Sequence, residues 1–174
     1  DLAALAEKLG SVDEALLDDL AAGLAQLPPQ SPTAAPPDAG TQADRIKALR
    51  RDMKAARIDA FLVPRSDRFQ GEQVPPGDER LAWLTGFTGS AGICVVTAKA
   101  AAVIVDGRYT LQVRDQSNGE VFTFPEYGGN TVSDFVTATL GKGDVVGYDP
   151  WLHTDAAIRR LKTALEARGI DLKP

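Results

Sequence analysis

Leucines recur at positions 2, 5, 9, 16, 17, 20, 24 and 27, with acidic residues between them. Steps of three and four predict amphipathic helix, and Gly10-Ser11 breaks the pattern. Ser11 and Glu14 have the spacing of a capping box, so a second helix is expected to open there. Periodicity then vanishes between Pro28 and Gly40, where five prolines stand among small and polar residues. Such a stretch can neither continue a helix nor build a core. The pattern therefore predicts a helical appendage at 1–27, a linker at 28–42 and a main domain over 43–174.

In the main domain, Ile46, Leu49, Met53 and Ala56 lie on one helical face, with basic residues largely on the others, and predict a helix over 43–57. A short apolar run at 60–64, closed by Pro64, predicts a buried strand. A polar loop follows to Pro76, then a short helix through Arg80, Leu81 and Leu84. The runs Ile93–Thr97 and Ala100–Val105, rich in Val and Ile, predict an antiparallel hairpin in the middle of a sheet. Ala98-Lys99 lacks Asn-Gly turn chemistry, so the loop should exceed two residues. Further helices are expected at 108–116, 131–140 and 155–168, and strands at 120–125 and 144–148. Alternating strands and helices with one hairpin make this an α/β domain of three layers around a mixed sheet.

Charge and rare residues narrow the chemistry. The 24 acidic against 19 basic residues give a net charge of -5 and a pI near 4.9, which disfavours a nucleic-acid partner. No apolar run has membrane-spanning length, and Asp1-Leu2-Ala3-Ala4 has no leader character. The single cysteine, Cys94, fits a reducing, cytoplasmic compartment. The single histidine, His153, argues against histidine-rich metal sites and paired acid–base machinery, so no complete hydrolytic centre is expected. Asp13, Glu14, Asp18 and Asp19 could suggest a metal cluster, but acids near a helix start read better as a solvated face.

Two blocks stand at the ends of the hairpin. Gly86, Gly89 and Gly92 recur at every third position before it. No lysine follows and a strand comes next, so a phosphate loop is excluded and backbone geometry is the better reading. Ser90 is a weak nucleophile candidate, with only the distant His153 as a base. Asp106-Gly107-Arg108-Tyr109 follows the hairpin, where ligands gather beyond the carboxyl ends of strands. The fork of Arg108 suits a carboxylate or carbonyl. An internal Asp106–Arg108 pair that ties down the turn is the competing reading, and from the residues alone it is slightly favoured.

Four ordered blocks carry a resemblance: Val63-Pro64-x-x-Asp67, Leu84 to Gly92, Asp106-Gly107-Arg108-Tyr109-x-x-Gln112 and Gly147-Tyr148-Asp149-Pro150. Together they resemble the N-terminal domain of Xaa-Pro aminopeptidase (aminopeptidase P), shared with creatinase and prolidase, over roughly residues 43–174. The second and third blocks resemble the longer, three-domain enzyme. The resemblance implies a ribonuclease-H-like fold and a separate C-terminal catalytic domain holding a dinuclear metal centre, typically manganese. This chain would hold no catalytic or metal residue of its own. Arg108 would contact a short proline-containing peptide, supported by Asp106, Gly107, Tyr109 and Asp67, with no partner for the arginine inside this domain. The other partners implied are the catalytic domain and a second subunit of a homodimer. A stand-alone binding or assembly module, or a creatinase- or prolidase-like parent, are the alternatives.

Overall fold

The computed structural model describes residues 40–125 and 132–174. The helical appendage expected at 1–27, with its acidic residues, and nearly all of the linker expected at 28–42 fall outside them. Thr41 opens the first helix, α1 (Gln42–Ala56), with the reciprocal bonds of a capping box: its hydroxyl accepts from the Asp44 amide and its own amide donates to the Asp44 carboxylate. Ile46 and Met53 are the buried positions of the expected apolar stripe. Arg57 closes the helix in the left-handed region at φ 57°, which turns the chain into β1 (Ala60–Pro64).

After β1 come a 3-10 turn at Pro76–Asp78 and the short helix α2 (Arg80–Thr85). The hairpin strands are β2 (Gly92–Thr97) and β3 (Ala101–Val105). Their loop is longer than two residues, as its composition predicts. The Thr97 hydroxyl accepts from the Ala100 amide at 3.0 Å and so closes the turn without Asn-Gly. A 3-10 turn at Gly107–Tyr109 leads into α3 (Thr110–Gln116), so the helix expected over 108–116 is split. Then follow α4 (Val132–Thr139), β4 (Val145–Tyr148), a 3-10 turn at Pro150–Leu152, α5 (Asp155–Glu166) and β5 (Asp171–Lys173).

The five strands form one sheet in the order β3-β2-β1-β4-β5. β1 runs antiparallel to β2 and parallel to β4, β2 runs antiparallel to β3, and β4 runs parallel to β5. The mixed three-layer α/β expectation therefore holds, but the hairpin lies at one side of the sheet and not in its middle. Its strands read as central because both faces are packed. Period-two alternation sends Cys94 and Val96 to one face and Val95 to the other. On the first face they meet Ile46 and Met53 of α1, Leu81 and Leu84 of α2 and Val113 of α3. On the second, Val95 joins Val136 of α4 and Leu165 of α5.

One expected strand is absent and one strand outside the expectations is present, each for a local reason. Residues 120–125 form no strand. The Asn118 carbonyl accepts from the amides of both Val121 and Phe122, which curls the chain, and only Thr123 bridges to Ala102. The apolar alternation there reflects Phe122 entering the core, not a ladder. β5, in turn, was not expected. It is three residues long and mostly exposed, so it carries no apolar run of its own. The last helix also ends at Glu166, two residues short of the expected 168.

Burial holds the Cys94 thiol protonated, pushing it far above its ordinary range, so the lone cysteine is a packing residue. Leu81 is fully buried between α2 and the sheet. Leu81→Ala should lower stability by about 2–5 kcal/mol in urea unfolding through the cavity it leaves.

Candidate functional site at the carboxyl edge of the sheet

Strand directions gather the chemistry at one edge. Because β1, β3 and β4 run the same way, Arg65, Asp106 and Asp149 all follow strand ends there. The antiparallel β2 begins at that edge, with Gly92 opposite Val105. The two blocks that flank the hairpin are thereby brought side by side.

The glycine segment is shaped by close packing. Gly86 caps α2 at φ 81°, and a Cβ there would lie 2.6 Å from the Gln116 carbonyl oxygen. A Cβ on Gly89 would lie 2.2 Å from Phe87 Cζ and 2.9 Å from Tyr109 Cδ1, so only glycine lets the two segments meet. Thr88 donates its amide to Gln116 Oε1 at 2.9 Å, and Gln116 Nε2 donates to the Thr88 hydroxyl at 2.9 Å. Ser90 Oγ and Tyr109 Oη share a hydrogen bond of 2.6 Å. The Tyr109 ring stands edge-on to Phe87, with centroids 5.7 Å apart.

Asp106 binds Arg108 through both carboxylate oxygens. Oδ1 accepts from the Arg108 amide at 2.9 Å and from Nε at 3.1 Å, and Oδ2 accepts from Nη2 at 2.6 Å. The expectation that Arg108 lacks a partner in this domain is thus corrected, and the competing reading of an internal pair holds. The pairing leaves the arginine side chain 69% exposed, with its guanidinium carbon 5.1 Å from the Tyr109 ring centroid. Hydrogen bonding from Arg108 holds the Asp106 carboxyl below its ordinary value. The hydrogen bond with Ser90 likewise lowers Tyr109.

Asp106, Gly107, Arg108 and Tyr109 form one cluster with Ser90. Asp67 does not join it. Its carboxylate is buried and accepts from the amides of Phe69 at 2.9 Å and Gly71 at 3.1 Å, folding its own loop. Arg65 links that loop to the cluster, donating from Nη1 to the carbonyls of Glu72 and Ser90. Ser90 and His153 make different contacts, since the His153 ring packs edge-on to Tyr148 at 5.7 Å. Sequence reasoning missed the roles of Phe87, Gln116 and Ser90, and only the glycine before Ser90 signals the close approach.

Two hollows open near this edge. One, of about 360 Å³, is a mainly apolar trough between α1, α2 and β1, walled by Leu49, Phe61, Trp83 and Leu84. The other, of about 220 Å³, lies between Arg68, Asp78 and Trp151. Both share Arg80, Asp149 and Leu152, and they sit where the strand order reverses between β1 and β4. Arg108 lines neither. Among the described residues, no three His, Cys, Asp or Glu side chains are placed to hold a metal, so a dinuclear centre finds no ligand set in them.

Residues 45–174 match the model of the creatinase/prolidase N-terminal domain. The chain belongs to the creatinase/prolidase N-terminal domain family. Xaa-Pro aminopeptidase 2 of Rattus norvegicus is 38% identical over 108 residues, which are 62% of this chain and 16% of that protein. The X-prolyl aminopeptidase of Caenorhabditis elegans, a cytosolic enzyme with a di-nuclear active site, superposes with a TM-score of 0.71 at 28% identity, over 77% of this chain and 24% of that one. The N-terminal domain of cytoplasmic peptidase PepQ from Mycobacterium tuberculosis shares the fold, with a TM-score of 0.57 at 24% identity, over 75% and 92% of the two chains. The chain spans about a fifth of the length of the curated relatives that it matches. This creatinase/prolidase-type domain has no described helix long and apolar enough to cross a membrane.

The lone imidazole provides a pH test. Burial lowers the His153 pKa below 6.5, and the Asp149 charge opposes that effect. The unfolded chain then takes up the proton first, so the contribution to stability is present above pH 6.5 and is lost as pH falls through the folded value. NMR titration should place the His153 midpoint below 6.5, and Asp149→Asn should lower it further. Urea midpoints should fall between pH 7 and pH 5, and His153→Phe should flatten that slope.

Proposed function

We propose that this chain is the non-catalytic N-terminal domain of an Xaa-Pro aminopeptidase, which removes an N-terminal residue preceding proline. Its α/β domain, residues 43–174, narrows the substrate cleft, and Arg108 contacts a short proline-containing peptide there. The catalytic step belongs to a C-terminal domain with a dinuclear metal centre, typically manganese, as in the di-nuclear site of the nematode relative. The protein acts in the cytoplasm as a homodimer, a placement supported by the cytosolic nematode relative.

One observation carries this reading. Arg108 is oriented by Asp106, yet its side chain is 69% exposed and borders neither hollow. A largely solvated guanidinium held in one direction suits recognition of a carbonyl or carboxylate, and in this reading a second domain completes the site. Asp106 restrains the side chain through Nε and Nη2 before any ligand arrives. That reduces the ordering cost of binding a peptide carbonyl or carboxylate. In this reading the contribution of the domain is positioning.

Arg108→Ala in the protein that carries the catalytic domain should cut kcat/KM for an Xaa-Pro peptide roughly ten- to hundredfold, the cost of a charge-assisted hydrogen bond. Arg108→Lys should recover little of it, because an ammonium cannot reproduce the fork. A domain that melts early while kcat/KM stays normal would show that the Asp106–Arg108 pair serves the fold alone. Purified residues 1–174 supplied with manganese should release no amino acid from such peptides, and turnover would overturn the reading.

A further inference from the structure

The glycine segment and the arginine turn meet at one hydroxyl, and that contact extends the reading of Arg108 as a peptide contact, on which this inference rests. Ser90 lies two residues before Gly92, the first residue of β2, and Gly92 pairs with Val105, the last residue of β3. The antiparallel register therefore delivers Ser90 to the turn that follows β3. There its Oγ lies 2.6 Å from Tyr109 Oη. The Ser90 backbone is held in turn, since its carbonyl accepts from Arg65 Nη1 at 3.4 Å.

The Tyr109 ring is thus held at two places. Phe87 meets it edge-on at 5.7 Å, and Ser90 tethers the phenolic end. The Arg108 guanidinium carbon lies 5.1 Å from the centroid of the same ring. Asp106 restrains the guanidinium through Nε and Nη2, and the ring supports it as a second restraint. A long, exposed side chain otherwise loses appreciable rotamer freedom when it binds. We propose that Ser90 is a positioning residue: by tethering Tyr109 it fixes the aromatic surface on which Arg108 rests, and so sets the affinity of the arginine for the peptide. Ser90 touches no substrate in this scheme and acts only through Tyr109.

The coupling can be read without any substrate. In the 174-residue chain, Ser90→Ala should speed hydrogen exchange at Arg108 Nε–H in ¹⁵N NMR, and Ser90→Thr, which keeps the hydroxyl, should restore it. Ultraviolet titration should show the tyrosine missing from Tyr109→Phe ionising below the ordinary value of 10.0, and Ser90→Ala should return it toward that value. Unchanged Arg108 exchange in Ser90→Ala would overturn the proposal. In the protein with its catalytic domain, Ser90→Ala should raise KM for an Xaa-Pro peptide about two- to tenfold and leave kcat nearly unchanged. Added to Arg108→Ala, it should have no further effect, whereas additive losses would also overturn the proposal. If Arg108→Ala itself leaves kcat/KM unchanged, the peptide-contact reading fails, and the NMR exchange still decides whether Ser90 positions the arginine.

Discussion

The register of the β1–β2–β3 ladder is the constraint on which the site depends. Gly92 stands opposite Val105, and Pro64 stands opposite Ile93. A slip of one residue would turn Cys94 and Val96 out of the α1–α2 core and bring Val95 into it. The register is therefore set by burial on both faces, far from any functional side chain. The same register leaves the glycine segment and the arginine turn adjacent. Core packing in this domain is thus also the device that aligns Ser90 with Tyr109.

Around that junction the chain favours close contact over conformational freedom. Gly89 gives up a side chain so that the Phe87 and Tyr109 rings can approach. Gln116 of α3 reaches back to Thr88. The result is a rigid seat beneath a side chain that is itself largely solvated. An exposed ion pair contributes little to folding in general, so Asp106 and Arg108 matter more for direction than for stability.

Much of this was legible in the residues. α1 followed from its period, β1 from a short apolar run closed by Pro64, and the longer hairpin loop from the missing Asn-Gly. The Asp106–Arg108 pair was visible as a competing reading because the two residues are near neighbours in the chain. Position within the sheet was not legible. A strand packed on both faces shows the same apolar run whether its hydrogen-bonding side is central or lateral, and that placed the hairpin wrongly. The segment at 120–125 misled because Phe122 is buried by a turn, not by a ladder. β5 was too short and too polar to register. The Ser90–Tyr109 contact joins residues 19 apart, and no local pattern encodes it.

The two sides of the sheet are finished differently, and this bears on how the domain keeps to itself. Along β3, Thr123 takes the Ala101 carbonyl and offers its own carbonyl to the Val103 amide. Two outward groups of that strand are thereby occupied. On the opposite side of the described sheet lies β5, with Asp171 and Lys173 exposed. A foreign strand seeking a ladder along β3 finds that border already partly filled, and one approaching β5 meets two exposed charges. Both features work against edge-to-edge pairing of strands rich in Val and Ile.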